Sequence, residues 1–304
     1  MSKVAVIGGL GLIGSAVVEK LLTLGREVLV IDTSGSQDKC DSVFGKGVQY
    51  ANQNIVNFYD YKILKGCEGV YNFAGMLGTT ELEFQKRASV EVNIIGALNV
   101  FDAAINAGCE YVFYPTKPDC WLNTYTITKC ATDQFAQLYN KNTDLKVCCL
   151  RYFNVFGPRQ HTHPIRKMIP YFAMQAIKKQ PLEIFGDGEQ TVDLIYSQDV
   201  AKITVEFVEK RWNSSIPDLG RGVSITVNEV ASFVNDHLYN HKVAYLPMRM
   251  GETPRTKLVA DLKVLSDIIP LEFSDFQKTM EETLDYYANL PISVIEDALW
   301  YYKK

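Results

Sequence analysis

The chain of 304 residues is 47% hydrophobic and 22% charged, a composition that fits a globular protein and excludes a disordered or fibrous one. A net charge of -4 and the lack of a long Lys/Arg run argue against a nucleic-acid partner. No secretory signal precedes the first predicted strand, no apolar run reaches membrane-spanning length, and the seven scattered cysteines indicate reduced thiols. We therefore expect a cytoplasmic protein that does not contact a membrane.

Short apolar runs alternate with helical patterns through the first half of the chain. The predicted elements are a strand at 4–7, a helix at 12–24, strands at 28–31, 48–51 and 70–74, a helix at 88–107, a strand at 111–114, a helix at 125–140 and a strand at 146–151. This order predicts an α/β fold of the Rossmann type, a doubly wound parallel sheet with helices on both faces.

The alternation breaks after Gly157-Pro158. A helix at about 169–178 and a turn at Gly186-Asp187-Gly188, followed by shorter elements, indicate a smaller α/β substrate-binding lobe at the C-terminal side. We expect a nucleotide-binding domain over residues 1–155, with a return near 190–212, and the lobe over 156–304.

Three glycines, Gly8, Gly11 and Gly14, lie between the first predicted strand and helix. This spacing permits a tight turn, close approach of a pyrophosphate and close packing of helix on strand. Asp32 ends the second predicted strand, where its carboxylate can accept both hydroxyls of an adenosine ribose and repel a 2′-phosphate. No arginine follows in Thr33-Ser34-Gly35-Ser36, so the sequence favours NAD over NADP.

Tyr125 and Lys129 are four residues apart in a predicted helix and share one of its faces. An ammonium group beside a phenol is expected to lower the phenol's pKa and make it a usable base at neutral pH. By contrast, His161 and His163 have no third ligand at a suitable spacing, so we expect no metal site.

These motifs, with several others, resemble the extended short-chain dehydrogenase/reductase family, specifically its NAD-dependent sugar-nucleotide epimerases and dehydratases. The further matching segments are Asn72-Phe73-Ala74-Gly75, Asn93, the stretch from Arg151 to Gln160, Gly186-Asp187-Gly188-Glu189-Gln190, Asp193-Leu194-Ile195-Tyr196 and Arg249-Met250-Gly251-Glu252. The resemblance covers nearly the whole chain and implies a nucleotide-sugar substrate and a homodimer formed through the long helices.

The resemblance also implies roles for individual residues. Tyr125 and Lys129 are its catalytic pair, and Thr116 is the best match for its catalytic hydroxyl. The implied substrate contacts are Asn154, Arg159 and Arg249. The implied cofactor contacts are Gly8, Gly11, Leu12, Ile13, Asp32, Asn54, Ile55, Ala74, Gly75, Asn93, Lys129 and Tyr152.

The sequence departs from the family pattern at two places. Val192 stands where the family usually has an arginine that contacts the diphosphate, and Arg166 or Lys167 could supply the lost charge. The loop between Thr116 and Tyr125 is shortened and contains two prolines, so Asp119 or Cys120 could face the substrate instead of Thr116.

The expected reaction passes through a 4-keto sugar, which can be reduced again on its other face or can eliminate water. Dehydratases that resemble this family carry adjacent Asp and Glu after the threonine, whereas this chain has Lys117 and Pro118. That difference favours a 4-epimerase, while Asp119 and Cys120 keep a dehydratase open. An NAD-sensing module without catalysis is the alternative from another class, and the intact Tyr125 and Lys129 argue against it.

Overall fold

The computed structural model describes residues 2–58 and 60–303. Within these ranges the strands are β1 Lys3–Ile7, β2 Glu27–Asp32, β3 Gln49–Asn52, β4 Cys67–Asn72, β5 Tyr111–Thr116, β6 Lys146–Tyr152, β7 Asn154–Phe156, β8 Leu182–Phe185, β9 Thr191–Val192, β10 Leu194–Tyr196, β11 Asp218–Leu219, β12 Ile225–Thr226 and β13 Val243–Leu246.

The helices of the same ranges are α1 Leu12–Thr23, α2 Gln37–Phe44, α3 Lys86–Val90, α4 Gly96–Ala107, α5 Thr124–Asn142, α6 Met168–Ile177, α7 Ser197–Glu209, α8 Val227–Leu238, α9 Lys263–Ile268, α10 Phe276–Ala288 and α11 Ile292–Tyr301. A π-helical turn at Glu91–Ile95 joins α3 to α4. Short 3-10 helices lie at Ile55–Asn57, Tyr61–Leu64 and Glu81–Phe84.

The main sheet has seven strands in the order β11-β6-β5-β4-β1-β2-β3, and all of its pairs are parallel. The strand order reverses between β1 and β4, and such a reversal opens a crevice at the carboxyl ends of the strands. The predicted Rossmann-type, doubly wound fold is therefore confirmed, and the crevice is where a nucleotide binds in such folds.

Alternate residues of β1 point to opposite faces of the sheet. Val4 and Val6 point into the core layer covered by α1 and α7, whereas Ala5 and Ile7 point into the layer covered by α4. Both layers are apolar, which explains why the central strands read as continuous hydrophobic runs rather than as alternating ones.

The chain crosses to the smaller lobe after β6 and then returns. Strand β10 pairs with β7, α7 packs on α1, and β11 extends the main sheet beyond β6. The lobe's own core forms where α6, α8 and α10 meet the β8–β13 pair, around Phe172, Met280 and Leu284. We propose the domain division given above on these contacts.

One apolar helical run differs from what the sequence suggested. Residues Lys86–Ala107 form 22 continuous helical residues, and an 18-residue window within them has a mean hydropathy of 1.4, which is long and apolar enough to cross a membrane by length and composition. The expectation that no run reaches that length is therefore wrong. Much of this run is buried against the sheet, with Val100 and Phe101 in the core, as in the core helix of a globular protein.

Candidate active site

The glycine loop between β1 and α1 leaves no space for a side chain at Gly8 or Gly14. Gly8 has φ of +74°, and a Cβ there would lie 2.9 Å from the backbone nitrogen of Ala74. A Cβ on Gly14 would lie 2.1 Å from the carbonyl oxygen of Gly8. Gly11 is the N-cap of α1 and provides no side-chain cap, so the first amides of the helix, at Leu12 and Ile13, remain open to an anionic ligand.

Asp32 lies beside this loop at the carboxyl end of β2. Its Oδ2 accepts a hydrogen bond from the Leu10 backbone N–H at 3.1 Å, and its Oδ1 accepts from the backbone and side chain of Ser34 at 3.0 Å each. The carboxylate is thus fixed next to the crevice with lone pairs to spare. The glycine cradle, open helix terminus and fixed carboxylate together fit the pyrophosphate and ribose of NAD.

Asn93 serves the site indirectly. Its side chain is 1% exposed, and its Oδ1 accepts from Met76 N at 2.7 Å while its Nδ2 donates to Met76 O, Ser89 Oγ and Thr128 Oγ1. The amide therefore ties the segment after Ala74 and Gly75 to α5, which fixes the crevice wall. Its hydrogen-bonding capacity is taken up by protein groups.

Three other residues implied to contact the cofactor are also held by protein groups. Asn54 Oδ1 accepts from Val56 N at 2.9 Å and caps a 3-10 helix, and the Ile55 side chain is buried against Gly96. The Tyr152 side chain lies in the core, where its hydroxyl is 2.5 Å from Thr204 Oγ1. For Tyr152, only the main chain is left for a cofactor contact.

Tyr125 and Lys129 lie in the first turns of α5, which Asn123 caps by accepting from Thr126 N at 2.9 Å. Lys129 is 5% exposed, and its Nζ lies 4.0 Å from the centroid of the Tyr114 ring. Burial lowers the pKa of Lys129 to about 8 and raises the pKa of Tyr125 well above its usual value.

The expectation that Lys129 lowers the pKa of Tyr125 is therefore wrong for the protein without its ligands. The helical spacing does bring both residues to the same region. However, the ammonium lies over Tyr114, and desolvation dominates at the phenol. The protein alone holds Tyr125 as a neutral phenol.

Thr116 ends β5 and is 2% exposed. Its hydroxyl lies beside the carboxyl of Asp133 and favours the ionised form, although neither Thr116 Oγ1 nor Asp133 Oδ1 has a well-formed hydrogen bond among the described residues. Burial raises the pKa of Asp133 to about 7, and Lys129 partly opposes this. Asp133 was missed in the sequence, although its position one helical turn after Lys129 could have revealed it.

The shortened loop presents Lys117, not Asp119, next to Tyr125. Lys117 Nζ lies 5.9 Å from the Tyr125 ring centroid, whereas Asp119 is exposed. Cys120 is half-buried, and burial raises the pKa of its thiol, which keeps it protonated. The loop is tied to the lobe because Trp121 Nε1 donates to Thr256 Oγ1 at 3.0 Å.

The three residues implied to bind substrate each contact a different part of the protein. Asn154 lies in β7, where its N–H donates to Asp193 O at 3.0 Å. Arg159 forms an ion pair with Glu19 of α1 at 2.8 Å. Arg249 pairs with Glu252 and lies 5.2 Å from the Phe185 ring centroid, and its Nε is buried without a hydrogen-bond partner among the described residues.

Two cations were candidates to replace the charge lost at Val192. Arg166 stacks on Tyr171 at 4.4 Å and donates to the Tyr302 carbonyl at 3.1 Å, so it braces the C-terminal segment against α6. Burial lowers the pKa of Lys167, whose charged neighbours are the carboxylates of Glu81 and Glu252 and the guanidinium of Arg249. Lys167 is thus the better placed of the two. No cluster of three metal-binding side chains occurs in the residues that the structure describes.

Comparison with known proteins gives consistent matches. A putative UDP-glucose 4-epimerase of Methanocaldococcus jannaschii is 27% identical over 84% of this chain and 89% of its own. The structure is similar to a UDP-N-acetylglucosamine 4-epimerase from Methanobrevibacter ruminantium M1, with a TM-score of 0.86 and 26% identity over 94% of this chain and 98% of the other.

A third match extends the fold comparison to a complex with cofactor. The UDP-glucuronic acid 4-epimerase from Bacillus cereus, solved with UDP-glucuronic acid and NAD, has a TM-score of 0.86 and 23% identity over 95% of this chain and all of its own. The model of the NAD-dependent epimerase/dehydratase family matches residues 4–218, from β1 to the first residue of β11. With its glycine cradle, fixed Asp32, half-buried Tyr125 and buried Lys129, the chain belongs to the NAD-dependent epimerase/dehydratase family.

Proposed function

We propose that this protein is an NAD-dependent 4-epimerase of a nucleotide-activated hexose. The observation that carries the proposal is the grouping of Thr116, at the carboxyl end of β5, with Lys129 around Asp133, and of Tyr125 one turn before Lys129 on α5. Bound NAD supplies a hydride acceptor for C4 of the sugar and, when oxidised, a positive charge in the crevice.

In this proposal each side chain has one task. Thr116 orients the 4-hydroxyl, and Tyr125 takes the proton of that hydroxyl and later returns it. The raised pKa of Tyr125 means that its base form depends on added positive charge once the site is filled, and Lys129 is the buried cation within one helical turn. The 4-keto sugar then rotates within the site, and its C4 is reduced on the opposite face.

The surroundings of Tyr125 favour epimerisation over dehydration. Dehydration needs an acid and a base at C5 and C6 of the sugar, and the residues after Thr116 are Lys117 and Pro118. Asp119 is exposed, and Cys120 remains a protonated thiol. A dehydratase remains the second candidate because Asp119 and Cys120 both lie in the loop between Thr116 and Tyr125.

The diphosphate is the remaining part of the substrate to be held. We propose that Arg249 and Lys167 bind it in place of an arginine at position 192, since both are neighbouring cations of the lobe and Arg249 Nε has no partner among the described residues. Arg159 is expected to contribute less to diphosphate binding, because its guanidinium already pairs with Glu19.

We also propose a cytoplasmic homodimer. The seven cysteines are all free thiols, as a reducing compartment permits. The long helical run and the neighbouring α5 expose apolar side chains at Val90, Ile95, Ile127 and Leu138, a surface that a second copy could cover. A monomer in solution at micromolar concentration, measured by light scattering, would contradict this.

The reaction itself is tested with purified, NAD-loaded protein and a panel of nucleotide sugars. An epimerase gives a product of unchanged mass with inverted configuration at C4, and a dehydratase gives a product lighter by one water. If neither product forms and no nucleotide sugar binds, the proposed function is wrong.

A further inference from the structure

Lys117 lies at the reacting end of the proposed sugar site, and its hydrogen-bond partners in the described part of the chain are all neutral. Its Nζ donates to Pro118 O at 2.6 Å, to Thr126 Oγ1 at 2.8 Å and to Cys120 Sγ at 3.6 Å. All three acceptors are neutral. In the described residues no carboxylate lies within ion-pair distance of this ammonium, and Asp133 acts on it only from farther away.

A partly buried cation that only neutral groups contact lacks the anionic acceptor that would stabilise it most. Removing an ammonium from water costs free energy that neutral acceptors recover only in part, and a carboxylate or phosphate recovers more. The weakest of the three contacts, to the thiol of Cys120, is also the easiest to exchange for a stronger acceptor. Lys117 is therefore able to receive an anion without losing its other two hydrogen bonds.

The position of Lys117 indicates which part of the substrate carries that anion. It directly follows Thr116 in the chain, and its Nζ is 5.9 Å from the Tyr125 ring centroid. Both neighbours are proposed to act at C4 of the sugar. The diphosphate is attached to C1, at the opposite end of a pyranose ring, whereas the exocyclic C6 group is attached to C5, next to C4.

We propose that Lys117 binds a carboxylate at C6, so that the preferred substrate is a nucleotide-activated hexuronate. This inference rests on the proposed function and narrows it to a substrate class. A neutral hexose has only a hydroxyl at C6 and gains no comparable charge-assisted hydrogen bond. Lys117 is thus a specificity-determining residue, while Thr116 and Tyr125 act on the 4-hydroxyl of either class.

The test compares the dissociation constants of UDP-glucuronate and UDP-glucose by calorimetry. NAD-loaded Tyr125→Phe protein is used so that neither ligand is converted during the titration. We expect UDP-glucuronate to bind at least about tenfold more tightly than UDP-glucose, as a charge-assisted hydrogen bond predicts. In the same background, Lys117→Met should reduce that preference to about twofold or less, and Lys117→Arg should retain part of it.

Lys65→Met, which removes an exposed lysine outside the site, is the matched control and should keep the full preference. Equal affinities in the protein with Lys117 intact, or a preference that survives Lys117→Met, would overturn the inference while leaving a neutral-sugar epimerase in place. If neither UDP sugar binds the folded protein, the inference is overturned as well, whereas the proposed function is decided separately by the panel of nucleotide sugars. A melting temperature for each variant shows whether Lys117→Met is folded, and Lys117→Arg tests charge without truncating the side chain.

Discussion

Lys129 and Asp133 are one turn apart on the buried side of α5, and burial brings their pKa values to about 8 and about 7. Near neutral pH, therefore, the lysine is largely charged and the aspartate is close to its midpoint. The two groups interact electrostatically beside the residues that we propose to be catalytic, with the hydroxyl of Thr116 beside the carboxyl. A substitution of Asp133 is therefore expected to shift the pKa of Lys129, although Asp133 itself is not proposed to contact the substrate.

The first prediction concerns the pH dependence of stability. The folded-state pKa of Asp133 is raised, so folding favours its protonated form, and the resulting stability is complete below the carboxyl's unfolded pKa near 4 and lost as pH rises towards 7. Relative to Asp133→Asn, the wild-type protein should lose on the order of 2–4 kcal/mol between pH 4 and pH 7. Denaturant unfolding of both proteins across this range measures the difference, and parallel curves would contradict the assignment.

Lys129 gives a shift of the opposite kind. Its folded-state pKa is lowered, so its contribution is present above the lysine's unfolded pKa near 10.4 and is lost as pH falls through about 8. The two residues therefore affect stability in separate windows, one acidic and one alkaline. Asp133→Asn should further lower the pKa of Lys129, because it removes the attraction that partly opposes burial.

The second prediction concerns cofactor choice. The protein should bind NAD(H) far better than NADP(H), because the carboxylate of Asp32 is fixed by Leu10 and Ser34 where a 2′-phosphate would meet like charge. Asp32→Ser should relax this preference mainly by improving the binding of NADP. Calorimetry with both cofactors measures it, and equal affinities in the wild-type protein would refute the assignment.

The third prediction separates the two residues of the catalytic pair. Tyr125→Phe should leave NAD binding nearly intact and lower turnover about a hundredfold or more, because it removes the proton acceptor but keeps the ring. Lys129→Met should weaken NAD binding as well as turnover. Parallel measurements of NAD affinity and turnover distinguish these two patterns, and full activity in Tyr125→Phe would mean that the proton goes elsewhere.

The fold was largely predictable because the strands are buried on both faces and the helices have an apolar side. Helix α2 was missed since it is polar and buries only Cys40. Tyr125 and Lys129 were proposed as a catalytic pair from their helical spacing. The direction of the Tyr125 pKa shift was not predictable, because it is set by burial of the phenol in the folded protein, where the Lys129 ammonium lies over the Tyr114 ring of β5.

The substrate lobe was less predictable for a similar reason. The contacts that decide which cation is free join distant parts of the chain, as Arg159 does with Glu19 and Arg166 with Tyr302. Local patterns carry no information about such pairs. Sequence alone therefore kept Arg166 and Lys167 as equal candidates, and the three-dimensional contacts separate them.

The last prediction concerns the outcome of the reaction and the shortened loop. Thr116→Val should impair catalysis because a hydroxyl is needed at the reacting oxygen, whereas Asp119→Asn should have little effect because Asp119 is exposed. Turnover of the nucleotide sugar by the wild-type protein in deuterium oxide tests directly whether the bond between C5 and its hydrogen is broken. An epimerase that only oxidises and reduces C4 never breaks the C5–H bond, so the product should carry no deuterium at C5. Deuterium at that carbon would show that a base reaches C5, and elimination would replace epimerisation as the preferred reading of this site.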